Sequence, residues 1–593
     1  MSFNNLKEFI DYLKKNNELL IIETEVDPIL EVTEISRRAL LQNKPALLFL
    51  KVKGSKYPLL MNTYASEKRV EYALQKDPDE LGYELLKFAE VLVPPKFYEI
   101  VKQKRMLRRV LSTFPKKGGD YSQKQEIRVR LSDLPILKCW PEDGGRFITL
   151  PQVFTYDLRT GKRNVGMYRM QVFDESTTGM HWQIQKGGGF HYYQAEKLGK
   201  DLPVAVALGT DPAMLFATIA ALPENVDEVM FAGFLRGNRT PMIKAKSINI
   251  KVPANAEFVL EGIVPVNFRR LEGPFGDHFG HYSAAAEFPI FQVKKITASE
   301  NPVYPATIVG IPPMEDKFLG DATQKILGPL IKLIHPEIES LWAYYEAGFH
   351  NLLVVSVDER YHKEAAKTAL SIIGEGQLSL TKCVVLVDRG INPRNFKAVL
   401  REINSNFDPH YDFIMIPKVP LDTLDFTSFK MNLGSKMIID ATSNNSRLKK
   451  EVIEQKERID IEKIRKILSK VSPFIRDFNL LEETLLAVKV EKNGREIVEE
   501  LVSKSELKGI KIIAAVSDDI DIYNQEKLIW GIFTRFDAER DIVFTEQKLI
   551  GISPIYSGIM GIDATWKEGY PKPLSMDERI VKLVDNKWKE LGI

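Results

Sequence analysis

The sequence predicts a mixed fold, α/β at both ends and rich in β-structure between them, and three observations carry that reading. Helical and strand-like periods alternate over residues 1–110. From about 125 to 300, short runs of Val, Ile, Phe and Tyr are separated by Gly and Asp turns, and after residue 316 strands and helices alternate again. With 593 residues and on the order of 150 per domain, roughly two to four domains are expected. A composition of 44% hydrophobic and 27% charged residues suits a folded chain with substantial cores and excludes a disordered or fibrous one.

In the first segment, apolar residues at helical spacing predict helices over Leu6–Lys15, Ile29–Gln42 and Leu81–Val91, with strands at Leu19–Ile22 and Ala46–Leu50. Val165–Phe173, Val204–Leu208, Ser247–Val252 and Phe288–Lys294 read as strands of an antiparallel sheet or barrel. The proline-punctuated stretch from Asn301 to Asp316 reads as a connector, because proline removes ladder donors and restrains the residue before it. Beyond it, strands at Leu352–Val357 and Cys383–Val387 alternate with helices at Glu364–Ile373 and Phe396–Asn404. Residues 446–470, dense in Lys, Glu, Ile and Leu, read as a solvated helix linking two units. The expected domains are therefore 1–115, 116–320, 321–445 and 446–593.

The last two share a pattern. At an offset of 129, Val387, Ile391, Asn395, Phe407, Asp408 and Asp412 match Val516, Ile520, Asn524, Phe536, Asp537 and Asp541, and Ile439-Asp440-Ala441-Thr442 recurs as Ile562-Asp563-Ala564-Thr565. This reads as a duplicated α/β unit.

Charge excludes some partners. Lys and Arg number 82 against 80 Asp and Glu, so no net field draws nucleic acid or anionic lipid. Cys139 and Cys383 lie far apart without a CxxC spacing, which disfavours disulfides, thiolate zinc and iron–sulfur clusters and suits a reducing cytoplasm. The first ten residues carry acids and no cleavage site, so they do not read as a signal peptide, and no apolar run is long enough for an integral membrane segment. Peripheral contact with membrane lipid stays open.

Four of the eight histidines, His181, His191, His278 and His281, fall within one segment with Gly187-Gly188-Gly189 and Glu272-Gly273-Pro274-Phe275-Gly276-Asp277-His278. Reactive residues beside flexible turns suggest a site. Glu272 and Asp277 bracket a turn that can put both carboxyls on one side, where mutual repulsion is expected to raise one pKa while an arginine such as Arg169 holds the other ionised. No GxGxxG after a strand, P-loop, HExxH or GxSxG motif occurs.

Longer strings say more. Asn164-Val165-Gly166-Met167-Tyr168-Arg169, Ala232-Gly233-Phe234-Leu235-Arg236-Gly237, the run Glu272 to His278, Ile308-Val309-Gly310-Ile311-Pro312-Pro313-Met314-Glu315-Asp316 and Gly434-Ser435-Lys436-Met437 follow in an order that resembles the UbiD family of reversible, prenylated-flavin-dependent decarboxylases of aromatic and α,β-unsaturated acids. The likeness covers nearly the whole chain. It implies an N-terminal α/β domain, a central split β-barrel of the flavin-reductase type and a C-terminal α/β domain, here with its internal duplication.

The resemblance also implies a cofactor and its ligands. Prenylated FMN is expected at Asn164, Met167, Tyr168, Arg169, His181, Trp182, Gln183, Lys186, Gly187 and Glu228, with Lys436 reaching it from the C-terminal domain and Lys567 as its rival. Asn164 and Glu228 would ligate a divalent metal, usually Mn2+, bridging to the cofactor phosphate, and hard oxygen donors suit such a cation. Ala217 and Thr218 match a neighbouring K+ site, and His191 is a candidate third ligand to the divalent ion. Arg169, Glu272 and Asp277 match the catalytic arginine and two acids: Arg169 orients the substrate carboxylate, Glu272 tunes it, and protonated Asp277 returns a proton to carbon. Phe279, where threonine is common, makes the pocket beside Asp277 more apolar.

The expected partners are an aromatic or polycyclic acid, carbon dioxide, a UbiX-type flavin prenyltransferase as cofactor supplier, and further copies of the chain in a homo-oligomer. A naphthoate or hydroxybenzoate of quinone biosynthesis leads, with an aryl acid of aromatic degradation beside it. An FMN-binding split-barrel oxidoreductase and a non-catalytic scaffold are the alternatives.

Overall fold

Helix Leu6–Lys15 opens the fold as expected: the Asn5 side chain accepts from the Glu8 amide at its start, and Lys14 and Lys15 sit at the negative end of its dipole. The computed structural model describes residues 3–92, 104–118, 125–183, 186–223, 226–443 and 460–593. These form two units, Met1–Leu327 with Lys572–Ile593, and Gly328–Pro571.

In the first unit, strand Leu19–Ile22 keeps its expected bounds, and the second helix shortens to Glu31–Leu41. The third lengthens to Pro78–Leu92, because the Asp77 carboxylate caps the amides of Asp79 and Glu80 and proline is at home in a first turn. Leu19–Ile22, Ala46–Phe49 and Leu59–Met61 make a small sheet whose fourth strand is Tyr304–Pro305. The proline-punctuated stretch is thus more than a connector. Tyr304 and Ala306 donate to Pro58 and Leu60 while Pro305, which has no amide hydrogen, sits between them at the sheet edge.

The β-rich middle is built on a large antiparallel sheet, with smaller sheets beside it, in the order Thr177–Gly179, Ala286–Ala298, Phe258–Val264, Leu202–Leu208, Gln152–Tyr156 and Arg163–Met167. Arg269–Glu272 and Gln125–Ile127 also pair with the 13-residue strand Ala286–Ala298. Two expected strands change. Ser247 lies in a loop whose amides, with that of Lys246, donate to the buried Glu261 carboxylate, and the strand begins at Lys251. The run Val165–Phe173 breaks into Arg163–Met167 and Met170–Gln171, leaving Tyr168 and Arg169 outside both ladders.

The second unit holds two five-stranded sheets with the same order and senses. Ile338–Ala343, Leu353–Val357, Cys383–Asp388, Gly434–Asp440 and Phe413–Val419 form the first; Ile475–Leu481, Leu485–Val490, Ile512–Ser517, Ser553–Ala564 and Ile542–Ile550 form the second. Several of the offset residues make the same bonds in each. Asn395 and Asn524 cap the helices Phe396–Asn406 and Gln525–Phe533, and the amides of Asp408 and Asp537 donate to the carboxylates of Asp412 and Asp541. The sheets also exchange bonds reciprocally: Lys382 Nζ donates to the Phe536 carbonyl at 2.8 Å, and Lys511 Nζ to the Phe407 carbonyl at 2.8 Å. Of the expected linker helix, 446–459 lies outside the described residues, and Ile461–Val471 is helical.

Residues 572–593 belong to the first unit. Leu574 donates to the Gly280 carbonyl at 2.9 Å, and helix Glu578–Lys587 packs on Glu31–Leu41, where Lys587 pairs with Glu31 and Arg38 with Asp585. Among the described residues no helix is long and apolar enough to cross a membrane.

Lys382 is fully buried and pairs with Asp425 at 2.9 Å. Removing one partner of a buried pair strands the other charge, so Lys382→Met lowers unfolding stability by roughly 3 kcal/mol or more. Lys548→Met, at an exposed pair with Glu546, costs under about 1 kcal/mol in the same denaturant titration. Equal losses would contradict this account of the second unit.

Candidate active site

The break in the β-sheet after Met167 aims Arg169 at two acids brought from a distant stretch of chain. Its guanidinium donates to Glu272 Oε1 at 3.2 Å, to the Asp277 carboxylate, and to Ser283 Oγ at 3.0 Å. It also lies over the Phe275 ring, 4.6 Å from the centroid. The three predicted catalytic side chains therefore converge, with their charged groups almost wholly removed from water. Each charge tolerates that burial because the others compensate it.

Glu272 ends strand Arg269–Glu272, held in register by Ala286 of the long strand. His181 Nδ1 meets the same oxygen, Glu272 Oε1, at 2.8 Å. Burial and the charge of Arg169 depress the His181 pKa despite that bond, favouring the neutral ring. Strand Thr177–Gly179 passes so close that a Cβ on Gly179 would lie 2.3 Å from Glu272 Oε2. Glycine there is a requirement of the acid's position.

Asp277 closes the turn that follows, and the turn is tied down from three sides. Asp143 Oδ1 accepts from Gly276 at 2.8 Å, Gln171 Oε1 accepts from Gly273 at 2.7 Å, and Leu574 of the C-terminal segment binds Gly280. Leu574 is buried, and with Trp140 it leaves no room for a side chain at Gly276. Asp277 Oδ1 accepts from the His278 amide at 2.8 Å and meets His278 Nδ1 at 2.9 Å.

The expected raised pKa of a paired carboxyl is not found in this geometry. Burial alone would push Asp277 up, but bonds from His278 and the charges of Arg169 and His278 outweigh it and hold the group well below the usual carboxylate range. The physical reason is that Asp277 is met directly by two donors, His278 first and then the Arg169 guanidinium.

A second cluster lies on strand Arg163–Met167. The Val165 amide donates to Glu228 Oε2 at 3.0 Å, and burial raises the Glu228 pKa to about 7. Asn164 Oδ1 faces the start of helix Gly187–Leu198 so closely that a Cβ on Gly187 would lie 2.0 Å from it. Tyr168 Oη accepts from the Gly188 amide at 3.1 Å, and Lys186 is the residue before the helix. Thr155, opposite Asn164 across the ladder, bonds His191 Nδ1 at 2.9 Å, which keeps His191 on the same face. Among the described residues no three His, Cys, Asp or Glu side chains gather as a metal site.

Other predicted residues lie as follows. Met167 ends its strand, and His181 and Trp182 are buried, with His181 Nε2 and Trp182 Nε1 both lacking hydrogen-bond partners among the described residues, while Gln183 follows them in the chain. Ala217 and Thr218 occupy the last turn of helix Pro212–Ile219, where carbonyls run out of intrahelical donors, and Thr218 Oγ1 bonds the Met214 carbonyl. Lys436 belongs to the second unit, where its ammonium bonds the Ser379 and Thr381 carbonyls and burial lowers its pKa to about 8. Lys567, its rival, pairs with Asp541 and Asp563. Sequence reasoning missed Ser283 and the bond from His278 to Asp277, although His278 stands next to the acid in the chain.

Comparison with known proteins identifies the family of the chain. The 3-octaprenyl-4-hydroxybenzoate carboxy-lyase N-terminal domain matches residues 10–89, its Rift-related domain 115–312, and its C-terminal domain 317–441 and 458–564. Fold and matches together make this protein a carboxy-lyase. The chain belongs to the UbiD family. It is 36% identical over 592 residues to a 4-hydroxybenzoate decarboxylase subunit of Chlamydia pneumoniae, covering 99% of this chain and 98% of that one. The vanillic acid decarboxylase of Sedimentibacter hydroxybenzoicus in its closed form shares a TM-score of 0.67 and 26% identity, over 79% of this chain and 99% of that one. The UbiD-class enzyme HmfF of Pelotomaculum thermopropionicum in complex with FMN gives 0.62 and 25%, over 78% and 98%.

Gly179→Ala displaces the Glu272 carboxyl and cuts turnover at least about tenfold, the scale of a misplaced catalytic group, with the melting temperature changed by only a few degrees. Adding Glu272→Asp, one methylene shorter, recovers part of the loss. Unchanged turnover in Gly179→Ala would show that the Glu272 position is not needed.

Proposed function

We propose that this protein removes carbon dioxide reversibly, without net oxidation, from an aromatic carboxylic acid, using prenylated FMN and a divalent metal held in its first unit. The observation that carries the reading is the buried Arg169 guanidinium between Glu272 and Asp277. It is the cationic fork that a planar carboxylate would bind.

The residues present fit the cofactor. Among the described residues three buried polar atoms, His181 Nε2, Trp182 Nε1 and Glu272 Oε2, find no hydrogen-bond partner, and such groups call for one. The glycine amides that open helix Gly187–Leu198, with Lys186 before them, suit phosphate oxygens. Asn164 Oδ1 and the Glu228 carboxylate are hard donors fit for Mn2+, and the last-turn carbonyls of Ala217 and Thr218 fit K+. His191 is a candidate third ligand to the divalent ion. When bound, the prenylated flavin supplies the electron sink for the pair left on carbon as carbon dioxide departs.

The chain's own groups then divide the work. Arg169 binds the substrate carboxylate, with Glu272 keeping the guanidinium in place. As Arg169 turns its charge toward that carboxylate, Asp277 loses a countercharge, its proton affinity rises, and it accepts the proton that it hands to carbon. No step is assigned to Lys436. Phe275 and Phe279 give the acid apolar neighbours, which suits an aryl ring.

A hydroxybenzoate is the leading substrate, supported by the name that the chlamydial relative carries; a naphthoate or another aryl acid is next. A UbiX-type prenyltransferase is the cofactor supplier. We also infer that the β-rich middle is a split barrel and that the two sheets of the second unit descend from a duplication, which their equal order and matched bonds support. An FMN oxidoreductase is not favoured, since all three matched domains are those of a carboxy-lyase.

The test is to co-express the chain with a flavin prenyltransferase, record the mass and absorbance of the bound chromophore, and screen hydroxybenzoates and naphthoates for carbon dioxide release. A holoprotein carrying FMN alone that exchanges no labelled carbon dioxide with any acid would support the oxidoreductase instead. Asp277→Asn keeps the chromophore and loses turnover by about 100-fold or more, the scale of a general acid; wild-type rates would remove Asp277 from the proton-donating role.

A further inference from the structure

We propose that His278 returns a proton from solvent to Asp277 after every turnover, a relay that acts through that acid and rests on the decarboxylase reading above. The need follows from stoichiometry. Aryl carboxylate plus one proton gives arene plus carbon dioxide, so a buried acid that protonates carbon ends each cycle as a carboxylate and must be recharged from water. Among the described residues two ionisable side chains, Arg169 and His278, bond Asp277 directly. A guanidinium is no proton shuttle, and the Arg169 side chain is 9% exposed, whereas the His278 side chain is 24% exposed.

The geometry suits a shuttle. His278 Nδ1 lies 2.9 Å from Asp277 Oδ1, and the His278 backbone amide holds the same oxygen at 2.8 Å, so the oxygen that faces the imidazole is fixed. The ring stands edge-on to Phe279, with 5.4 Å between centroids. His181, by contrast, bonds Glu272 and is buried.

The step balances. The bond from carbon to the carboxyl group breaks and its electron pair stays with carbon; that carbon takes the proton of the Asp277 carboxylic acid; Asp277 then takes the Nδ1 proton of the His278 imidazolium, and the neutral imidazole regains a proton from water. Nothing is oxidised or reduced overall. Imidazole is the one neutral side chain whose proton exchange is poised near neutral pH.

The experiment separates carbon–carbon cleavage from proton delivery. Exchange of 13C-labelled carbon dioxide into the substrate carboxyl needs cleavage and its reversal but no proton, while net decarboxylation needs one each turn. His278→Asn keeps an N–H where Nδ1 was, preserving the bond to Asp277, but its amide is not a base. In holoenzyme of unchanged absorbance, with the hydroxybenzoate that wild type turns over best, His278→Asn should retain label exchange within about threefold and lose decarboxylation by about 100-fold, with free imidazole restoring at least about tenfold of it. Loss of both reactions together without imidazole rescue would make His278 a structural residue, and wild-type rates in both would dismiss it; either overturns the relay. A wild-type holoenzyme that shows neither reaction would overturn the decarboxylase reading and the relay with it.

Discussion

Everything at the site depends on one buried cation. Arg169 is enclosed with two acids in a region where a lone charge would cost several kcal/mol, and the surrounding structure is arranged so that none is alone. A line of bonded groups runs from His181 through Glu272, Arg169 and Asp277 to His278. Its two ends differ. His181 is held neutral by burial and the arginine, while His278 reaches solvent. The line is therefore closed at one end and open to proton exchange at the other.

Three separate stretches must be placed to within a fraction of an ångström for this to work. The long strand Ala286–Ala298 registers both Arg269–Glu272 and Thr177–Gly179, so one element fixes Glu272 and the glycine that makes room for it. The break after Met167 frees Arg169 from the ladder, and Gln171, two residues later, holds Gly273 at the start of the acid-bearing turn. The C-terminal segment then braces that turn through Leu574. Catalytic groups on rigid elements, supported by a layer of backbone bonds, are what a preorganised site requires.

Much of this was legible in the sequence, and the reasons for success and failure are physical. Leu6–Lys15 and Leu19–Ile22 came out with their own bounds because local periodicity and capping decide them. The offset pairs pointed to two similar units because the repeated Asn and Asp residues make the same caps and turn bonds beside each sheet. Long-range pairing was invisible: nothing near Tyr304 announces that it will join a strand some 245 residues earlier, or that Leu574 will return beside Gly280. The Asp277 pKa was misread for a related reason. Spacing shows two acids near each other, but the direction of the shift is set by the groups that bond Asp277: His278, whose ring orientation the sequence does not give, and Arg169, which arrives from more than 100 residues away.

The most direct measurement is a crystal structure of the prenylated-FMN holoprotein with a slow aryl carboxylate bound. The account predicts that the ligand's carboxylate takes up the Arg169 guanidinium, that Asp277 turns from Arg169 toward the ring carbon while keeping His278, and that the chromophore contacts Trp182 and the start of helix Gly187–Leu198. A carboxylate bound elsewhere, with the pairs from Arg169 to Glu272 and Asp277 intact, would contradict it.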